Sequence, residues 1–151
     1  MTPQTATMQQ VLANLERLAD RKLEGPRTLA SALDHVAAGI ACSLDGYPQH
    51  KPWIFQVTIG RLALGKFLRD GRMRHDLAAV IPGVPQDQDV AFGTALERLR
   101  VQWARFEAYQ GPMAPHFAYG PVDKGQYAAV HVMHLQDHLG AVWEEVVGAK
   151  R

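Results

Sequence analysis

Apolar residues recur at intervals of three and four along four stretches of this chain and almost nowhere alternate. That period is the signature of helices that bury one face, and its near-exclusive use leaves little room for a sheet. The first stretch runs from about Thr7 to Arg21, with Met8, Val11, Leu12, Leu15, Leu18 and Ala19 as its stripe and Gly25-Pro26 ending it or lying just beyond it. The second runs from about Thr28 to Leu44, between an N-cap threonine and the stop Gly46/Pro48, and its residues are unusually small. The third, about Asp89 to Gln110, repeats Phe92, Ala95, Leu96, Leu99, Trp103 and Phe106 and ends at Gly111-Pro112. The fourth, about Lys124 to Val147, opens on Asp123 with Gln126 three residues later, a variant of the capping box.

Between the second and third stretches lie residues 45–88, too many for a plain bundle connection. Pro52 to Arg69 fits a shorter helix with Pro52 at its first turn, against the β-branched run Val57-Thr58-Ile59. The remainder, rich in Gly and Pro, reads as an irregular loop. The expected architecture is an all-α bundle of four helices, with one long crossover carrying a short accessory helix. At 151 residues and 47% hydrophobic composition, residues 1–151 suit one domain with a real core.

Bulk properties exclude several function classes. A net charge of +1 supplies no field for nucleic acid or a membrane surface. The basic cluster Lys66, Arg69, Arg72, Arg74 and His75 is diluted by Asp70 and Asp76, so no nucleic-acid partner is expected. No apolar run reaches the length of a membrane span, and the N-terminus lacks the pattern of a signal peptide. With one cysteine, Cys42, no internal disulfide can form, which fits a cytoplasmic setting.

The chemistry concentrates in VHVMHLQDHLG. His131, His134 and His138 project from a helix within an arc of about 60°. Imidazoles four residues apart can share one ion, whereas His131 and His138, about 10 Å apart along the axis, do not. The pair is therefore His134 with His138 or His131 with His134. The best third ligand is His35, mid-way along the second helix, whose same-face neighbours Ser31, Ala38, Gly39 and Cys42 leave room for an ion and a substrate. The competing explanation is a polar seam in which each histidine is hydrogen-bonded. Cys42 and Tyr127 stand where they can border the pocket, although core packing explains both as well. Asp34 and Asp137 point about 100° away from the histidines they precede, as solvated or supporting groups. His50, His75 and His116 fall in loops, where surface positions are the default expectation, although His116 and Tyr119, just before the fourth helix, can reach the pocket mouth.

A mid-helix histidine in the second helix with H-x-x-x-H in the fourth resembles the DinB/YfiT-like family of four-helix proteins. The resemblance is carried by LDHVAAGIACSLDGYP, PWIFQVTIGRLALGKFLRDGRM and HFAYGPVDKGQYAAVHVMHLQDHL, runs from about Leu33 to Leu139, and is nearest to a branch of unknown function. It implies a DinB-like bundle whose metal triad falls on His35, His134 and His138, with His131 as an extra histidine in the pocket or orienting a ligand. The family often has two adjacent histidines where this chain has Asp137-His138, and a Gln where it has Ala141. The resemblance further implies a divalent ion, zinc or nickel above all, and a homodimer. Characterised relatives use the ion to activate a low-molecular-weight thiol for transfer or isomerisation. A hydrolase acting on a small molecule and a non-catalytic metal- or ligand-binding bundle are the alternatives.

Overall fold

The computed structural model describes residues 1–148. Its order is α1 (Pro3–Leu15), a 3₁₀ turn (Glu16–Leu18), α2 (Leu29–Asp45), α3 (Trp53–Phe55), a π turn (Gln56–Gly60), α4 (Arg61–Asp70), α5 (Phe92–Ala108), α6 (Lys124–Leu139) and α7 (Val142–Val146). Among the described residues there is no strand, and a lone antiparallel bridge joins His116 to Gly120. The chain is an all-helical bundle, in which α2 packs on α5 and α6, and α1 closes the other side against α5, α6 and α7. Leu15, Leu33, Leu99, Trp103, Tyr127 and Leu135 fill the space between these helices and are almost fully buried.

Helix ends follow local chemistry. Thr28 Oγ1 accepts the Ser31 N–H at 3.0 Å, and Asp123 Oδ1 accepts the Gln126 N–H at 2.8 Å while the Gln126 side chain accepts from the Asp123 N–H. Two expectations are corrected. The first helix begins at Pro3, earlier than its apolar stripe, because Thr2 caps it and proline fits the first turn. The last stretch is two helices, since Gly140 takes φ 54° and turns the chain before α7.

The accessory segment, residues 53–70, is helical throughout but changes register at the π turn, where the β-branched residues stand. It approaches the 116–120 turn so closely that a Cβ on Gly60 would lie 1.9 Å from the Ala118 carbonyl oxygen. The loop after α4 is irregular yet well anchored. Met73 enters the main core, and Ile81 joins a second apolar cluster with Cys42 and Tyr47. The buried Arg27 donates to the carbonyls of Leu77 (3.3 Å) and Ala79 (3.0 Å) and to Gln86 Oε1 (2.6 Å). One guanidinium thereby satisfies acceptors on three loop residues and ties them to the start of α2.

Candidate metal centre

α2 and α6 present His35, His134 and His138 to one another. One ring nitrogen of each lies within 4.8 Å of the others, a group that could hold a metal ion. The His35 ring centroid is 4.9 Å from that of His134 and 5.0 Å from that of His138. Across the one-turn step on α6, His134 Nε2 and His138 Nε2 are 3.2 Å apart. Two nitrogens each about 2.05 Å from one ion and at the tetrahedral angle stand about 3.3 Å apart, so this pair already has the spacing of two ligands. His35 Nδ1 is buried with no hydrogen-bond partner, an arrangement that is costly in an apolar seam and natural beside a cation. Burial lowers His35 and His138 to about 3, with the Arg27 guanidinium and the neighbouring imidazoles adding to the effect, and drives His134 well below its ordinary value. The rings are neutral at physiological pH, the state a metal requires. The residues present therefore fit a divalent ion, and an all-imidazole set suits first-row transition metals better than magnesium or calcium.

His131 belongs to different surroundings. It is buried one turn earlier on α6, and its Nε2 is 3.0 Å from Ser43 Oγ. The Ser43 hydroxyl donates to the Ile40 carbonyl at 2.6 Å, so its lone pair accepts the His131 N–H and sets the tautomer. Tyr127 stacks on this ring at 5.3 Å between centroids and donates to the Ala114 carbonyl at 2.7 Å. Cys42 packs with Tyr47 and Ile81, and burial together with Asp45 pushes its thiol up. Asp34 accepts from Arg98 on α5 at 2.8 Å, a tie between bundle helices.

Two loop histidines are not at the surface. His116 is buried, and its Nδ1 accepts the N–H groups of Ala118 (3.0 Å) and Tyr119 (3.3 Å) within the tight 116–120 turn. His75 is half-buried and reaches the cluster. Its Nε2 is 3.2 Å from His138 Nε2, and its centroid lies 4.8 and 4.9 Å from those of His134 and His138. Asp137 Oδ2 stands 2.7 Å from His75 Nδ1, off the direction of a straight N–H bond, and accepts the His75 backbone N–H at 3.1 Å. Burial lowers His75 while Asp137 opposes the shift. For His116 the aromatic setting HFAYG is a visible hint of burial. The setting RMRHD around His75 gives none.

A cavity of about 290 Å³ opens onto the cluster. His35, His75 and His134 line it beside Met73, Ile81 and Phe117, and among the described residues Lys51 is the one formally charged residue on its wall. Larger depressions exist, one of about 500 Å³ between residues 19–30 and Phe92, but no comparable group of metal-ligating side chains faces them among the described residues.

The sequence profile of a family of proteins of unknown function, DUF1569, matches residues 4–145. The chain belongs to that family. Neither the comparison with curated proteins nor that with solved structures gives a match.

Proposed function

We propose that this chain is a DinB-like, divalent-metal-dependent protein that acts on a small molecule, as a thiol-dependent transferase or a hydrolase. The observation that carries the reading is the convergence of neutral, buried imidazoles from α2 and α6 beside a cavity, with a ring nitrogen left unpartnered. His35, His134 and His138 would hold the ion, zinc or nickel by resemblance. Such an ion lowers the pKa of a bound thiol or water and so supplies a nucleophile near neutral pH.

The protein's own groups do the rest. Met73, Ile81 and Phe117 give the cavity apolar walls that exclude bulk water from a bound ligand. His116, whose Nδ1 is already an acceptor, carries its proton on Nε2 and is a neutral donor on the same wall. Lys51 favours a ligand with a negative group. A small electrophile with an apolar body and an anionic end fits these features, with a low-molecular-weight thiol as cosubstrate. The outward side of residues 53–62 exposes Trp53, Ile54, Val57, Ile59 and Leu62, and a homodimer buried there is the assembly we propose.

The test is elemental analysis of protein purified without a histidine tag. The expected result is about one equivalent of a divalent transition metal in the native chain and none in His134→Ala. Undiminished metal in that variant would defeat the assignment.

A further inference from the structure

We propose that His75, delivered by the loop after α4, is a fourth imidazole ligand of the same ion and is aimed by Asp137. This rests on the metal reading above and adds a residue from outside the helical bundle.

The first support is the geometry around His138. Its Nε2 has two neighbours at 3.2 Å, His134 Nε2 and His75 Nε2. An imidazole nitrogen offers either one N–H or one in-plane lone pair, so a single hydrogen bond cannot serve both neighbours. A cation at their common focus satisfies all three, both separations are those of adjacent ligands on one ion, and a five-coordinate ion held by four imidazoles keeps one position open for the thiol or water of the reading above. The second support is symmetry. His75 flanks the His134–His138 pair at 4.8 and 4.9 Å between ring centroids, and His35 does so at 4.9 and 5.0 Å. His75 thus stands toward the pair as His35 does.

The third support is the outer contact. A carboxylate 2.7 Å from Nδ1 favours the proton on that nitrogen and leaves the Nε2 lone pair for the ion. Metal-bound histidines are commonly oriented by such a carboxylate. Asp137 also accepts the His75 backbone N–H, so the same oxygen holds the loop and stands beside the ring's Nδ1. Met73 in the core and the Arg27 contacts to Leu77, Ala79 and Gln86 fix the backbone on either side. The position of His75 is therefore built in.

Cobalt(II) titration of the metal-free full chain, followed by visible absorption, tests this. His75→Ala should keep one site but bind cobalt at least about 10-fold more weakly, since losing even a partner outside the ligand set costs that much, and with a changed d–d spectrum. His75→Cys should show a thiolate-to-cobalt charge-transfer band that the native chain lacks. Asp137→Asn should weaken binding about 10-fold with the number of sites unchanged. An unchanged affinity and spectrum in His75→Ala, or no charge-transfer band in His75→Cys, overturns the fourth ligand while native binding and its loss in His134→Ala leave the triad standing. Native-like cobalt binding by His134→Ala defeats the metal reading itself.

Discussion

The middle of α6 and its C-terminal end treat the same side chain in opposite ways. His131, at mid-helix, meets a hydroxyl whose other bond is already committed, so its ring is hydrogen-bonded and stacked on Tyr127. His134 and His138, one and two turns further on, meet only other imidazoles, with ring nitrogens facing nitrogens at 3.2 Å. All three histidines follow at helical steps of three and four residues. What separates a packing histidine from a candidate ligand is whether the neighbouring helix offers it a hydrogen-bond partner: Ser43 does, and His35 does not.

Several substitutions break or sharpen that contrast. The largest effect is on metal: His138→Ala should remove stoichiometric binding, whereas His131→Ala should leave it intact, as read by elemental analysis of untagged protein. The same His131→Ala should cost about 2–4 kcal/mol of stability in urea unfolding, because it empties a packed site in the core. Acid comes next. Burial lowers both His131 and His116 to about 3, from an ordinary value of 6.5. The unfolded chain therefore binds more protons than the folded one between these values. Their contribution is complete above pH 6.5 and is lost as the pH falls toward 3, by about 1.4 kcal/mol per pH unit for each histidine. Urea midpoints of the metal-free chain across that range should show the slope, and His131→Gln should reduce it by one proton. The smallest effect is Ser43→Ala, which strips His131 of its acceptor and should cost about 1–2 kcal/mol with metal content unchanged.

Legibility in the sequence follows the range of the interactions involved. Periodicity and caps are local, so α2 and α6 and their starts at Thr28 and Asp123 could be read directly. His35, His134 and His138 could be read because helical spacing converts sequence distance into direction. The break at Gly140 was hidden because the apolar period continues through Val142, Trp143 and Val146 into α7. His75 was hidden for a deeper reason. Its place depends on Asp137, 62 residues away, and on a guanidinium at Arg27 that reaches Leu77, 50 residues away. Neither partner leaves a mark in the residues next to His75. His116 was masked differently, by a five-residue turn whose own N–H groups occupy its Nδ1.

The most direct measurement is an anomalous-difference map recorded at the absorption edge of the metal that co-purifies with the untagged chain. The account predicts one strong peak enclosed by the rings of His35, His134 and His138, about 2.0–2.1 Å from a nitrogen of each. A metal peak elsewhere on the molecule, or fully occupied rings that hydrogen-bond to one another around no ion in metal-replete crystals, would contradict it.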